Sequence, residues 1–411
     1  MLIARVRFAA GTPLRLAGRR GTTAMDGETT GFFEGLKVCF TGLADPRVAA
    51  SCDHLLLDLL AITILGVASG ADDWTDLETF ARLRHDWLKT FLELPGGVPS
   101  HDTFRRVLGL LDPVEFSRGL FQWTQALHEA SGDKLVAIDG KALRRSFGKR
   151  SGKAMLHLVT AWSSENGLTL AQVACAEKSN EITAIPELLK LLSLPGCTVT
   201  IDAMGCQKEI AAEIREQKAH YVLALKGNQS GLEQDMQQLF TEGMQTGFAG
   251  MKHEVHTTVE KGHGRIDERA YHVIEIPQDH AQRQAWTDLR TLVVSNSRRE
   301  VNGQESWESR LYISSHLPRA KLLGSAVRKH WGIENGQHWV LDIAFGEDAR
   351  RQQDRKGGTN LAAVRRLMVS LLRQEKTLKR GAKCKRMACA LDPNYLLRVF
   401  QTAQLPTEID A

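Results

Sequence analysis

Long apolar runs are missing from this chain. No stretch reaches the ~18 residues that a membrane-crossing helix needs. The longest candidate, Leu55 to Val67, is too short and carries Asp58, so it reads as a buried helix and no membrane partner is expected. Cysteine is sparse and unpatterned. The seven are Cys39, Cys52, Cys175, Cys197, Cys206, Cys384 and Cys389, an odd number with no CxxC pair. That excludes a disulfide framework or a zinc ribbon and points to a reducing, cytoplasmic setting. Internal repeats, low-complexity tracts and Gly/Ser linkers are also absent. Acid is lacking at the start, where Arg5, Arg7, Arg15, Arg19 and Arg20 precede the first carboxylate, Asp26. Arginine every few residues breaks the apolar run that a secretory signal requires. Residues 1–31 therefore read as a flexible basic extension, with Met25 an alternative start.

What remains is ordinary in bulk and uneven in detail. The 411 residues are 43% hydrophobic and 25% charged, enough for two or three globular domains. Net charge is only +5, yet residues 351–400 hold thirteen Lys and Arg against Asp354, Glu375 and Asp392. A near-neutral body with a strongly basic tail suits a polyanion binder, although a solvated basic helix gives the same count.

From 32 to 131 the apolar spacing is helical throughout. Leu55, Leu56, Leu59, Leu60 and Ile64 recur at three-to-four intervals, and further helices are expected over Asp76 to Arg84 and Trp87 to Glu93. Ser100 is a good N-cap for His101 to Leu111, and Pro113 opens the next helix at its favoured first-turn position. The segment reads as a helical domain of its own. From 132 the period changes. Short apolar runs end in Asp139 and Asp202, and strands are expected over Leu135 to Ile138, Ala154 to Trp162, Leu168 to Cys175, Thr198 to Ile201 and Tyr221 to Leu225. Asn166-Gly167 supplies a hairpin turn, and helices are expected over Ile182 to Leu192 and Gln207 to Gln217. Three consecutive strands followed by alternating helix and strand describe a mixed α/β sheet with flanking helices, the order of an RNase H-like domain. Four strand-like segments within 250–316 read as a β-rich insertion separate from that sheet. Residues 317–376 return to helix and complete the layered domain, with one helix over Arg319 to Val340, and 377–411 form a basic C-terminal segment.

Asp139 and Asp202 each end an apolar run where a strand gives way to a turn. Singly, such a residue is usually a turn former or N-cap. On neighbouring central strands the pair would project together into a crevice. A third acid should come from a helix packed on the sheet, where Glu334 is offered by His330-Trp331-Gly332-Ile333-Glu334-Asn335. Magnesium takes oxygen ligands and keeps several waters, and paired ions assist in-line displacement at phosphorus, so three convergent carboxylates suit phosphodiester chemistry.

Five motifs then occur in order: Ala137 to Lys141 (AIDGK), Ile201 to Gln207 (IDAMGCQ), Leu225 to Gln229 (LKGNQ), Glu260 to Arg265 (EKGHGR) and His330 to Asn335 (HWGIEN). Together they resemble the H-repeat-associated transposases, DDE insertion-sequence enzymes of the IS-As group, from about Leu43 to Phe400. The resemblance implies an RNase H-like catalytic domain with a β-rich insertion, a helical N-terminal domain, and Mg2+ (replaceable by Mn2+) held by Asp139, Asp202 and Glu334. It implies hydrolysis at the ends of a DNA element and transfer of the freed strand to target DNA, by a homodimer assembled on DNA in the bacterial cytoplasm and nucleoid. A nuclease that cuts without joining, and a retired transposase kept as a DNA-binding protein, are the rival readings. The chain departs from the wider DDE group along its last helix, where Val327, His330 and Leu341 stand in the places of Tyr, Arg and Lys.

Candidate DNA contacts are Lys141, Arg144, Arg145, Lys226, Asn228, His263, Arg265, His330 and Asn335, with Arg105 and Arg106 on the capped N-terminal helix for reading the element's ends. Each has a plainer alternative. Lys226 and Asn228 fit an ordinary polar turn, His263 and Arg265 a hairpin tip, and Arg105 and Arg106 a solvated helix face. His330, Glu334, His338 and Asp342 recur every four residues, as a zinc site would require, although such sites prefer nitrogen and sulfur. Trp331 and Trp339 are expected in the core.

Overall fold

The computed structural model describes residues 27–147, 152, 154–177, 179–262, 264–351 and 354–402, so the first 26 residues, His263 and the last nine lie outside the described residues. Six helices come first: α1 (Gly27–Phe40), α2 (Leu56–Ala68), α3 (Trp74–Leu83), α4 (His85–Leu88), α5 (His101–Leu110) and α6 (Pro113–Ser131). Their ends follow local chemistry. Ser100 caps α5 by accepting from the Thr103 amide, Asp112 caps α6 ahead of Pro113, and Gly132 ends α6 in the left-handed region at φ 69°.

The sheet follows: β1 (Leu135–Leu143), β2 (Leu156–Ser163), β3 (Leu168–Ala174), α7 (Glu181–Leu189), β4 (Thr198–Ile201), α8 (Lys208–Glu216), β5 (His220–Leu225) and α9 (Ser230–Gln245). Then come β6 (His253–Gly262), β7 (Arg265–Glu275), α10 (Ala281–Ala285), β8 (Thr291–Val301) and β9 (Gln304–Ser314). The order across the sheet is β3-β2-β1-β4-β5-β9-β8-β7-β6. β1, β4 and β5 run parallel, and every other pairing is antiparallel.

The four later strands, expected to stand apart, instead extend this sheet through β5 and β9, where Val222 faces Ser314 and Leu225 faces Leu311. Their own sequence explains it. The root of β9 (Leu311, Tyr312, Ile313) is apolar and buried, whereas Gln304 to Glu308 at the tip is exposed. An apolar β5 edge left open would be an adhesive one, and the roots of these strands close it.

Strand alternation sorts the two faces. Val136, Ile138, Val199, Ile201, Tyr221 and Leu223 pack under α7, α8 and α9. On the opposite face Leu135, Val222, Tyr271 and Tyr312 pack under α11 (Ala320–His330). After α11 the chain makes a π-helical turn, Glu334–His338, before α12 (Trp339–Phe345), so the single helix expected from 319 to 340 is interrupted at Glu334. The closing helices are α13 (Arg355–Gln374), α14 (Ala382–Leu391) and α15 (Pro393–Gln401).

The N-terminal helices do not form a core of their own. One hydrophobic cluster joins Leu36, Leu60, Leu77, Phe104 and Trp123 to Leu367, Met368, Leu396 and Phe400 from α13 and α15. The Phe32 ring lies 4.8 Å from that of Phe400. The basic tail is corrected with it. Arg365, Arg366, Lys385 and Arg386 are buried, and Arg386 donates to the Val67 and Ala71 carbonyls and to Asp72 at 2.7 Å. Lys385 donates to the Leu372 carbonyl at 2.8 Å and to that of Glu375. A good part of the local positive charge therefore joins α13 and α14 to the body instead of facing solvent. Among the described residues no helix is long and apolar enough to cross a membrane.

Candidate active site

Register brings the first two acids together. In the parallel pairing of β1 with β4, Ile138 lies opposite Ile201, so Asp139 and Asp202 follow at the same end of adjacent strands. Each is held by the turn it starts. The Gly140 amide donates to Asp139 Oδ1 at 2.9 Å, and Asp202 Oδ1 accepts from the amides of Met204 (3.2 Å) and Gly205 (3.4 Å). The turn-forming role and the projecting role are thus filled by the same residues. Glu334 opens the π turn above this strand end and is exposed. A π turn widens a helix by one residue and recurs at functional positions.

The electrostatics tie these acids into one group. Burial pushes the Asp139 carboxyl up to about 7, and Asp202, Glu181 and Glu334 add to the rise by like-charge repulsion. Burial and then Glu181 raise Asp202 as well. Glu181 is a fourth acid that sequence reasoning missed. It sits in the first turn of α7, 7% exposed, with Asn180 as the helix cap. Its Oε1 lies 2.7 Å from His157 Nε2, although the two are out of line for a hydrogen bond. Gly140 makes room for it, since a Cβ there would stand 2.0 Å from Glu181 Oε1. The available signal was an Asn-Glu pair opening the first helix after a three-strand meander.

Two histidines complete the surroundings as neutral groups. His330 Nδ1 meets the Thr200 hydroxyl of β4 at 2.9 Å, and burial lowers its pKa to about 4. His338 Nδ1 stands 3.6 Å from Asp139 Oδ2, and burial, then Arg366 and Lys141, bring its pKa to about 3. His330, His338 and Asp342 do face the sheet along one side, but each meets a different partner: Thr200, Asp139 and Lys141.

The candidate DNA contacts fall into separate groups. Lys141 is corrected: it is 8% exposed and bound to Asp342 at 2.8 Å and Asp348 at 3.1 Å, so its ammonium is already spent inside the protein. His330 uses its Nδ1 on the Thr200 hydroxyl at 2.9 Å and is partly buried. Arg145, Lys226, Asn335 and Arg106 are exposed, as is Arg144, whose Nε is 3.5 Å from Asp348. Asn228 donates to the Ala203 carbonyl at 2.5 Å and so ties its turn to the one after Asp202. Arg265 pairs with Asp267 at 3.1 Å and Arg105 with Asp102 at 3.0 Å. Trp339, expected in the core, is 60% exposed, and Trp331 is half-buried with the Arg310 guanidinium 4.5 Å from its ring.

Among the described residues no three His, Cys, Asp or Glu are gathered closely enough, as they stand, to hold a metal ion. The donor set nevertheless fits a hard divalent cation. Its members are carboxylates alone, mutually repelling, with no lysine or arginine paired to Asp139, Asp202 or Glu334, and burial keeps His330 and His338 neutral. Zinc is not suited by these ligands.

Comparisons with known proteins give the chain's family. The transposase DDE domain family matches residues 130–371, and the DDE_Tnp_1-associated family matches residues 38–124. YncI of Escherichia coli O157:H7, provisionally named a transposase, is 39% identical over 362 residues, 87% of this chain and 92% of its own. The H repeat-associated YhhI of Escherichia coli K12, named in the same provisional way, is 34% identical over 363 residues, 87% of this chain and 95% of its own. Among solved structures, the piggyBac transposase synaptic complex with hairpin DNA matches at 11% identity and a TM-score of 0.38, over 94% of this chain and 84% of that one, a likeness too loose to argue from. With acids at paired strand ends inside the matched region, the chain belongs to the DDE transposase family, beside its H-repeat-associated members.

Proposed function

We propose that this protein cuts DNA at the ends of an insertion element and joins the freed strand to target DNA, using Asp139, Asp202 and Glu334 at one site for both steps. The observation that carries the reading is the register of β1 on β4, which sets Asp139 beside Asp202 within the family's catalytic segment. These three acids would hold Mg2+, with Mn2+ as a substitute. When bound, the ion would neutralise the attacked phosphate and favour the oxygen nucleophile in an in-line displacement.

The chain's own part is placement. The Gly140, Met204 and Gly205 amides fix the two aspartates, and Glu334 enters from the opposite layer. Neutral His330 and His338 limit the space around Asp139 and Asp202 without adding a positive charge that would compete with the ion. Hydrolysis leaves a 3′-hydroxyl on the element, and this hydroxyl displaces a target phosphodiester at the same carboxylates. Two ends cut in concert call for two protomers brought together on DNA. The helical segment 38–124, with Arg105 and Arg106 on α5, is the best placed to distinguish the element's ends.

The deciding experiment incubates the full chain with labelled duplexes carrying the ends of the element, with Mg2+ or with chelator. Nicking at the ends and joined products are expected for the native chain. Asp139→Ala, Asp202→Ala and Glu334→Ala should each abolish both while DNA affinity stays within a few fold. Nicking without joined products would favour the nuclease reading, and nicking by Glu334→Ala would remove Glu334 from the site.

A further inference from the structure

The structure divides the basic residues of α13, α14 and the loop between them. Arg366, Lys385 and Arg386 each meet a carboxylate or carbonyl of the protein. A second group is left over. A cleft of about 540 Å³ opens between the π turn and the end of α13, its lining combining apolar Val340, Val369, Leu372 and Leu378 with the cations Arg373, Lys376, Lys379 and Arg380, and Gly336 at its π-turn end. Among the described residues none of these four cations lies within ion-pair distance of a carboxylate. Most of the other arginine clusters on the surface do have such partners, as Arg298 has Glu268, Glu300 and Glu305. The nearby Glu375 offers no relief. It is fully buried, accepts from the Thr377 and Leu378 amides and the Tyr395 hydroxyl, and stands 3.5 Å from Lys385.

The place of this group matters as much as its charge. Gly336 follows Glu334 by two residues in the same π turn, so the cleft begins at the catalytic segment itself. The Arg373 side chain passes between two glycines. A Cβ on Gly167, at φ +68°, would come within 2.3 Å of it, and one on Gly336 within 2.8 Å. Its guanidinium lies over the Trp162 ring at 5.8 Å. Trp162 is two residues along β2 from Thr160, which faces Asp139. Four cations without a carboxylate partner, of which Lys376 also donates to the Arg373 carbonyl at 2.6 Å, lie along a cleft that starts two residues from Glu334 and form a track for a polyanion. The acids themselves would repel the same strand, so a cationic track is needed to hold it there.

We propose that this cleft is where the phosphodiester backbone of duplex DNA, next to the bond being cut, lies on the protein. The proposal rests on the transposase reading. Contacts of this kind are made to backbone and not to base edges, so they should serve every sequence alike.

The test measures duplex DNA binding by the full chain in EDTA, by fluorescence anisotropy across a salt series. The track variant is Lys376→Gln with Lys379→Gln and Arg380→Gln. The control removes equal charge at Lys190, Lys218 and Lys252, which are exposed elsewhere. Each lost phosphate contact should reduce the slope of log affinity against log salt by about 0.9, so the track variant should lose about 2.7 and the control much less. Lys379→Glu alone, with no partner to break, should weaken binding to element and scrambled duplexes equally. An unchanged slope in the track variant, or the same loss in the control, would overturn the assignment. If the native chain shows no salt-dependent duplex binding at all, the transposase reading fails before the cleft is tested. If all variants fold and bind alike, only the cleft assignment fails.

Discussion

Asp139→Asn should make the metal-free protein more stable at alkaline pH. In the native chain burial and three neighbouring carboxylates bring this acid from 3.8 to about 7, and its side chain is 19% exposed. The raised value fixes the sign. Below pH 3.8 the folded and unfolded chains both hold the proton and the group contributes nothing. As pH climbs toward 7 the unfolded chain releases it while the folded chain keeps it, so stability falls, and above 7 the full penalty is present. A rise from 3.8 to about 7 corresponds to roughly 4 kcal/mol, an upper bound if the turn relaxes. Urea unfolding in EDTA at pH 5, 6.5 and 8 reads the difference between variant and native chain, in which the other titrating groups cancel. The gap should open steadily to about pH 7 and then stop growing. Adding Mg2+ should restore the native chain and leave the variant unmoved, because a ligand that binds only the folded site stabilises only the chain that has the site. A variant no more stable than the native chain at pH 8 in EDTA would mean that the acids do not crowd one another, and the active-site assignment would lose its physical basis.

Other outcomes follow from the same contacts. Glu181→Gln should raise metal-free stability at pH 8 by less than Asp139→Asn does and lower the pH at which the loss of stability levels off, since Glu181 acts on Asp139 and Asp202 through charge; urea midpoints across pH read both. Lys141→Met should reduce stability and leave DNA affinity unchanged in anisotropy, the reverse of what a phosphate contact would give. Glu347→Gln should cost roughly 3–5 kcal/mol in denaturant unfolding, because Arg366, 2.7 Å away and fully buried, would keep its charge without a partner. Arg105→Ala in the full chain should reduce the preference for element ends over scrambled duplex more than it reduces total affinity, as footprinting would show.

The parts legible in the sequence were those set by short-range pattern. Strand ends at Asp139 and Asp202, the capped start of α5 and the Gly132 stop after α6 each follow from a few adjacent residues. What was not legible depends on partners far along the chain. Periodicity gives β9 an apolar half without saying that β5 will take it. Charge counts cannot tell Arg386, folded against the end of α2, from Arg380 facing the cleft. Helical spacing through Glu334 hides the extra residue of the π turn, because the flanking residues keep apolar faces on either side of it. For Glu181 the Asn-Glu helix start marked only a cap, because its place beside the aspartates depends on Gly140 in another layer having no side chain.

The hydrophobic cluster that joins α1 through α6 to α13 and α15 also sets a schedule for synthesis. The N-terminal helices leave the ribosome first, with Leu36, Leu60, Phe104 and Trp123 facing a layer that does not yet exist. At ordinary elongation rates of ~5–20 residues per second the delay is roughly 10–50 s, long enough for exposed apolar helices to need shielding. A messenger cut short anywhere before α13 yields a product that can never bury them.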